Sequence, residues 1–226
     1  MFARRSVSLT GAAVFGSLAA LSTVLIPARV QPSFPVLPFL RFDPAELFSV
    51  LAFLIFGPTP SFIAATVHWL FLTATGTTSP LGPAVKFAAV LTTLLGLWIG
   101  GRLYQSVAAK YRNVSVAIGL MLAWAILARV GILLIVNYFV FTYIGPVIFG
   151  IDYLGFSQRT LEATLGLQLA GSWEILTAML LYTSIFNGLH AAFSVLVPYV
   201  IFTPLTLKIP EIASGQPWIS RFTSRQ

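Results

Sequence analysis

Long apolar runs separated by short polar stretches dominate the hydropathy pattern of the chain. Because a helix needs about 20 apolar residues to cross a bilayer, runs of this kind predict membrane-spanning helices. The pattern predicts six transmembrane helices, over about residues 7–26, 44–56, 61–74, 84–104, 116–143 and 184–207. The predicted fold class is therefore an all-α integral membrane protein, with residues 1–226 forming a single membrane domain.

The second and third runs are short, and the sequence Gly57-Pro58-Thr59-Pro60 separates them. Two prolines at this point prevent a continuous helix, so the pattern predicts a short helical hairpin. Asp43 and Glu46 begin the second run, where negative charge complements the dipole of a helix N-terminus. We interpret them as capping residues, with Asp43 as the N-cap. One kinked span over residues 44–74 is the alternative, and it would reduce the count to five.

The last apolar region, Ser172 to Leu207, is too long for one span. An unbroken helix there would measure about 50 Å, whereas the hydrocarbon core of a bilayer is about 30 Å thick. We therefore predict a division near Thr183-Ser184. Residues 160–182 contain two glutamates and one glutamine. We predict that they form an extra helix on the outer face, before a final span from Ser184.

The composition supports a membrane location. Only 8% of the residues are charged, whereas 58% are hydrophobic. Soluble domains carry about 25% charged residues, so lipid must be the main solvent of this chain. The chain contains no cysteine, which excludes disulfides and thiolate chemistry.

The basic residues predict the orientation. With a cytoplasmic N-terminus, eight basic residues fall on the inner side: Arg4, Arg5, Arg102, Lys110, Arg112, Lys208, Arg221 and Arg225. Only three fall on the outer side, namely Arg29, Arg41 and Arg159. This distribution follows the positive-inside rule. We expect a multi-pass protein of the plasma membrane with both termini in the cytoplasm, and we interpret the net charge of +7 as a sign of orientation rather than of nucleic-acid binding.

The sequence lacks the common catalytic motifs. Its two histidines, His68 and His190, do not form a His-Glu-x-x-His metal site. It also has no Gly-x-Ser-x-Gly nucleophile elbow and no glycine-rich phosphate loop. We therefore expect no enzymatic activity, no catalytic residues, no metal and no cofactor, and no ATP hydrolysis by this chain.

Three polar side chains interrupt the later apolar runs. Asn137 lies near the predicted outer end of the fifth span, and Asn187 and His190 lie one turn apart near the same end of the last span. Polar residues in a membrane are costly and often functional, and a few of them among aromatic residues are typical of a small-molecule site. Each is also consistent with a simple interhelical hydrogen bond. Arg129 lies deeper, and we expect it to pair with a carbonyl or an acid.

The first span carries a row of small residues, Ala12, Gly16 and Ala20, at intervals of four. Such a row permits close helix contact in lipid. It is interpreted either as internal packing or as a docking face for another membrane subunit.

Four stretches of the chain resemble a known family: FPVLPFLRFDPAELFSVLAFLIFGP, SPLG, NYFVF and FNGLH. They resemble the substrate-binding subunits, or S components, of energy-coupling-factor (ECF) vitamin transporters, and most closely the riboflavin-specific ones. The stretches are spread over most of residues 7–207. The first is the most specific, because it combines a proline-rich loop, an aspartate, a short helix and Gly-Pro in that order.

The resemblance implies a six-helix bundle that binds riboflavin as its transported ligand near the outer face. It implies that Asn137 and Asn187 hydrogen-bond the flavin ring, beside His190. It also implies that the loop Pro35 to Leu40 forms a lid, which adds Leu37, Pro38 and Phe39 to the site. The expected partners are a transmembrane scaffold subunit, against which the S component topples, and two ATPase subunits. The row of small residues in the first span would then dock to the scaffold.

Other functions stay open at this point. His190 stands where riboflavin subunits usually have lysine, His68 and Ala65 stand where lysine and glutamate are common, and Lys86 replaces a common asparagine. An S component for another vitamin or small heteroaromatic compound is therefore one alternative. A self-sufficient secondary transporter is another, although the Gly-Pro break has no clear counterpart in the second half of the chain. A purely structural membrane subunit would not need the clustered polar residues.

Overall fold

The computed structural model of the protein describes residues 2–75, 80–108, 113–166, 168–208 and 217–222. Lys110, Arg112 and Arg225, which contribute to the predicted orientation, lie outside these ranges. The described residues form seven α-helices: α1 Phe2–Leu25, α2 Glu46–Phe56, α3 Pro58–Ala74, α4 Leu81–Leu103, α5 Val114–Phe139, α6 Tyr153–Leu165 and α7 Ser172–Lys208. Turns of π-helix extend α4 over Tyr104–Ala108 and α5 over Val140–Ile148.

The connection between α1 and α2 contains a small β-ribbon. A 3₁₀ turn at Ala28–Val30 leads into strand β1, Ser33–Phe34, which pairs with the antiparallel strand β2, Leu37–Arg41. A second 3₁₀ turn, Trp218–Phe222, follows α7 and packs against α2 and α5.

Four helical stretches among the described residues are long and apolar enough to cross a membrane: Ser8–Leu25, Leu81–Val107, Val114–Ile148 and Ser172–Pro204. This fits the predicted all-α membrane protein but not the six predicted spans. The 11 residues of α2 and the 17 residues of α3 measure about 16 Å and about 25 Å, which is shorter than a hydrocarbon core of about 30 Å. The prediction of six spans was wrong because it counted each arm of this hairpin as a full crossing.

The α2–α3 hairpin turns at Gly57, where the prolines predicted a division. Gly57 has a φ of 94°, a conformation that favours glycine, and Pro58 begins α3 directly after it. Helix α2 is apolar on most sides, and Phe53 and Leu54 are fully buried. The short helix therefore lies inside the bundle, where α1, α3 and α7 surround it.

The prediction for residues 160–207 was wrong. In the described part of this stretch, no single helix covers 160–182, and the helix that contains Thr183-Ser184 does not break there. Instead α6 ends at Leu165, and α7 runs unbroken from Ser172 for 37 residues, or about 55 Å. The two acids that made this stretch too polar for a span bind the connection between α6 and α7: Glu162 accepts a hydrogen bond from the Leu169 amide, and Glu174 accepts one from the Ala170 amide.

Close packing between α4 and α5 depends on two glycines of α4. A Cβ atom at Gly100 would lie 2.6 Å from the Met121 Cα of α5, and one at Gly96 would collide with the backbone at Ala125. The four-residue spacing of these glycines is the small-residue pattern that lets helix backbones approach each other in lipid.

Candidate functional site

A cavity of about 630 Å³ lies at one end of the bundle. Its lining comes from the C-terminal ends of α1 and α3, the connection from α1 to α2, the beginning of α2, α4 and α6, the last part of α5 with its π-helical extension, and the first half of α7. These are the helix ends that lie away from the N-terminus of α1. The volume falls within the range of about 300 to 1,000 Å³ that is usual for small-molecule sites.

The structure brings four of the six predicted binding residues to this cavity: Asn137, Asn187, His190 and Phe39. The other two, Leu37 and Pro38, do not line it. Leu37 is fully buried in the apolar cluster beneath the β-ribbon, and Pro38 is exposed. Packing directs Leu37 into the core and Pro38 to the surface, so the structure does not bring them to the cavity, and their contact with a ligand stays a prediction.

An ion pair forms the floor of the cavity. Arg129 of α5 donates from Nη1 to Glu46 Oε2 at 2.7 Å and from Nη2 to Glu46 Oε1 at 3.3 Å. Both residues line the cavity, although only 1% of Arg129 and 2% of Glu46 is exposed. A two-point pair of this kind fixes geometry as well as charge. It identifies the acid that Arg129 was expected to need, and it gives Glu46 a function beyond helix capping.

Further polar side chains complete this cluster around Arg129. Its Nη1 also donates to Thr93 Oγ1 at 3.2 Å, and its Nε lies 3.5 Å from Asn187 Oδ1. Ser194 donates to Glu46 Oε2 at 3.1 Å. We call Glu46, Arg129, Asn187 and His190 the polar cluster. Its members come from α2, α5 and α7, so it ties the short helix α2 to two long ones.

His190 presents an unsatisfied donor at the cavity. Its Nδ1 lies 3.1 Å from Arg129 Nη2, and a guanidinium only donates hydrogen bonds, so Nδ1 accepts and the ring hydrogen is assigned to Nε2. That Nε2 lies 3.6 Å from Glu46 Oε2, too far for a hydrogen bond, and has no hydrogen-bond partner among the described residues. His190 is only 2% exposed, so this N–H is buried beside the Glu46 carboxylate without a hydrogen bond in the described part of the protein.

The two asparagines differ in how they are held. The Oδ1 of Asn187 faces Arg129, which leaves its amide nitrogen for other acceptors. Asn137 is 5% exposed and has no hydrogen bond from its side chain to the described part of the protein. An asparagine amide offers both a donor and an acceptor. The His190 N–H and the Asn187 amide nitrogen are hydrogen-bond donors. The Asn137 amide can both donate and accept.

A second ion pair lies at the start of α2. Asp43 pairs with Lys86 of α4, and its Oδ1 accepts from the Ala45 amide at 2.8 Å. Asp43 therefore closes the turn before α2, while its other oxygen holds Lys86. The N-cap of α2 is Ala45, so the prediction of Asp43 as the N-cap was wrong. Asp43 and Lys86 both line the cavity. The pairing of Lys86 with this acid was not predicted from the hydropathy pattern.

Three aromatic rings form one wall of the cavity. Phe39, Phe141 and Tyr153 all line it, and their ring centroids lie 5.2 to 6.3 Å apart. Burial raises the pKa of the Tyr153 phenol above its usual value, so the hydroxyl stays protonated at neutral pH. A flat aromatic ligand would find apolar surface for edge or face contacts here.

The row of small residues in α1 faces the inside of the protein. Ala12 is fully buried and Gly16 is buried. A Cβ atom at Gly16 would lie 2.9 Å from the Val67 Cβ of α3. Ala20 is half-buried. Of the two interpretations of this row, internal packing matches the structure, because α3 covers Gly16, and a role of the row in subunit docking stays a prediction.

His68 has a structural contact outside the polar cluster. It is 3% exposed, and its Nε2 lies 2.9 Å from Thr23 Oγ1 of α1. His68 is not among the residues that line the cavity. Among the described residues, no group of three or more histidines, cysteines or acids is placed to hold a metal ion.

Comparisons with known proteins gave no relative. No family model, curated protein or solved structure matches the chain.

Proposed function

We propose that the protein is the substrate-capture subunit of an ECF-type vitamin importer, and that it binds riboflavin in the cavity. The observation that carries this proposal is the combination of Asn137, Asn187 and His190 with an aromatic wall in one cavity of about 630 Å³. The cavity has the size, the apolar surface and the few convergent polar groups of a small-molecule site.

The hydrogen-bonding groups suit one edge of a flavin ring. The pyrimidine part of that ring carries two carbonyl oxygens, which accept hydrogen bonds, and an imide N–H, which donates one. The His190 Nε2–H and the Asn187 amide nitrogen serve as donors to the carbonyls, and Asn137 offers the oxygen for the imide. Leaving these buried groups unpaired costs about 1 to 3 kcal/mol each, so a ligand that satisfies them gains affinity and specificity.

The aromatic wall suits the other parts of the same ring. Phe39, Phe141 and Tyr153 belong to three different segments, namely β2, the π-helical turn after α5, and α6. A flat heteroaromatic ring contacts all three across the width of the cavity. Because Phe39 is in the α1–α2 connection, the β-ribbon is the natural lid over a bound ligand.

Orientation follows from the distribution of charge and the arrangement of the helices. The positive-inside rule favours a cytoplasmic N-terminus. The four long helices and the α2–α3 hairpin then return the chain to the same side, and the cavity opens outward. Trp218, which follows α7, packs against Phe53 with ring centroids 4.7 Å apart, close to the turn at Gly57. This contact is consistent with a hairpin whose turn points to the cytoplasmic side.

In this proposal the protein captures the vitamin and does not power its transport. Toppling against a scaffold subunit would carry the ligand inward, and two separate ATPases would supply the energy. The docking face on this chain is left unassigned, since the row of small residues in α1 is buried against α3.

The test is the absorption spectrum of the purified protein. The protein is extracted in mild detergent from cells grown with riboflavin, and the spectrum is recorded before and after denaturation. We expect visible flavin bands that coelute with the protein and a free flavin released on unfolding. A preparation that lacks flavin and does not take it up when riboflavin is added would refute the choice of vitamin.

A further inference from the structure

A groove of about 380 Å³ lies on the outside of the bundle, between α3 and α4. It opens on the surface that faces lipid in a membrane, because three of its lining side chains are 39 to 51% exposed, namely Phe62, Leu95 and Trp98. The rest of the lining consists of Pro58, Leu91, Thr92 and Leu94. None of these residues lines the cavity, so the groove is a separate feature of the molecule.

The lining of the groove favours an apolar occupant. Six of the seven lining residues are aliphatic, aromatic or proline. The seventh, Thr92, donates its hydroxyl hydrogen to the Ala89 carbonyl oxygen at 2.9 Å, within its own helix. A polar ligand would lose its hydrogen bonds to water and find few partners here, whereas an acyl chain loses none.

A positive charge lies at one end of this apolar groove. Arg102 follows Trp98 by one helical turn on α4, and its Cζ atom lies 5.5 Å from the centroid of the Trp98 ring. This cation–π contact holds the guanidinium beside the lining. Arg102 is exposed, and no acidic side chain in the described part of the chain forms an ion pair with it. Its N–H groups can therefore bind an anionic acceptor, and phosphate is one that arginine binds at two points.

The groove lies at the end of the bundle opposite to the cavity. Helix α3 begins at Pro58 and α4 ends at Leu103, and the groove joins these two ends. In the orientation that the charge distribution favours, this end faces the cytoplasm. The cytoplasmic leaflet contains anionic phospholipids, and tryptophan near a helix end is typical of the level of their head groups. The charge and the depth of the groove thus match the same class of lipid.

From this arrangement we infer that the groove between α3 and α4 binds an anionic phospholipid of the cytoplasmic leaflet. One acyl chain lies against Phe62, Leu95 and Trp98, and the lipid phosphate accepts hydrogen bonds from Arg102. The site does not depend on which vitamin the cavity binds. An apolar helix of a partner subunit could cover the same side chains, but it would leave the charge of Arg102 without a counter-charge.

The test compares two phospholipids that have identical acyl chains. Phosphatidylglycerol, which is anionic, and phosphatidylcholine, which has no net charge, are titrated into the full chain in mild detergent, and native mass spectrometry gives the affinity of the first bound lipid. We expect phosphatidylglycerol to bind about fivefold more tightly, which is the effect of about one basic residue near a membrane surface. Equal affinities, or tighter binding of phosphatidylcholine, would overturn the inference.

Arg102→Gln tests whether this arginine causes the preference. In the variant the ratio of the two affinities should fall to about one, because the charge that distinguishes the head groups is removed. Arg159→Gln is the matched control, since it removes an exposed charge on α6, away from the groove, and it should keep the fivefold ratio. If Arg102→Gln also keeps that ratio, the anionic lipid binds elsewhere on the protein and the inference fails.

Leu95→Trp tests the groove itself. The larger side chain fills space that the acyl chain would occupy, so the variant should bind both lipids at least about fivefold more weakly. Leu127→Trp is the control, since Leu127 is 61% exposed on α5 and does not line the groove, and it should bind both lipids as the wild type does. Unchanged affinities in Leu95→Trp would show that no acyl chain lies in the groove, which would then be left to a helix of a partner subunit.

Discussion

Arg129 and Glu46 form a two-point ion pair across 83 positions of sequence, with N–O distances of 2.7 and 3.3 Å. The pair joins the short helix α2 to α5, and almost no part of either side chain is exposed. A buried pair of this kind adds little net stability compared with apolar residues, but loss of one partner leaves an uncompensated charge. The pair therefore fixes the position of α2 and, through Asn187 and His190, the floor of the cavity.

We expect Glu46→Gln to destabilise the protein strongly, because Arg129 would keep its charge without a buried counter-charge. The expected loss is about 3 to 5 kcal/mol in the free energy of unfolding. Thermal or denaturant unfolding in detergent measures it. Glu174→Gln is the matched control, since Glu174 is exposed and only accepts a hydrogen bond from Ala170, which glutamine can also accept.

The double variant Glu46→Leu/Arg129→Met tests the same ion pair by a double-mutant cycle. Removing both charges should cost much less than the sum of the two single changes, because neither residue is then left unpaired. Additive losses would mean that the two residues stabilise the protein independently, in contradiction to the ion pair.

The two asparagines of the cavity should respond differently to alanine. Asn137→Ala should weaken riboflavin binding roughly 5- to 150-fold, since about 1 to 3 kcal/mol of hydrogen bonding is lost. Its effect on unfolding should be small, because its side chain has no hydrogen bond to the described part of the protein. Asn187→Ala should weaken binding to a similar extent and also reduce stability, because Arg129 Nε loses its acceptor. Titration by fluorescence quenching, together with unfolding curves, separates the two effects, and unchanged affinity in both variants would mean that the binding site is elsewhere.

Glycine substitutions test the helix packing. Gly100→Ala places a methyl group against the α5 backbone, so it should destabilise the protein by about 1 to 3 kcal/mol. Gly119→Ala is the control within α5, because a Cβ atom there has no neighbour within 4 Å. It should be neutral or stabilising by up to about 1 kcal/mol, owing to the higher helix propensity of alanine. Equal effects of the two changes would contradict the close approach of α4 and α5.

The orientation can be tested by single cysteines, since the chain has none of its own. Arg159→Cys, on the exposed side of α6, should react with an impermeant maleimide added to intact cells. Ser106→Cys, exposed after α4, should react only after the membrane is permeabilised. The reverse pattern would invert the proposed topology and place the cavity on the cytoplasmic side.

The sequence predicted the helical class and the grouping of Asn137, Asn187 and His190, since these are polar residues at similar depth in apolar runs. It did not predict that Arg129 pairs with Glu46 or that Lys86 pairs with Asp43. The partners of each pair are far apart in sequence, and hydropathy carries no information on pairing. The continuous α7 was missed for another reason. Glu162 and Glu174 reduce the local hydropathy as surface residues would, but in the structure they bind backbone amides of the connection between α6 and α7.

The four-residue spacing of small residues is not confined to α1, although only the row in α1 was predicted to form a close helix contact. The glycines Gly96 and Gly100 of α4 have the same spacing, and they contact the α5 backbone more closely than Gly16 contacts α3. Spacing alone indicates that a helix can be approached closely. It does not indicate whether the neighbour belongs to the same chain or to another subunit.

The most direct test of the central claim is the titration of the purified wild-type protein with riboflavin. The flavin is followed by quenching of its fluorescence, with Asn137→Ala measured in parallel. If the cavity is a flavin site, the wild type should bind one riboflavin per chain and the variant should bind it at least about fivefold more weakly. If the wild type leaves the fluorescence of riboflavin unchanged, riboflavin is not the ligand of this cavity.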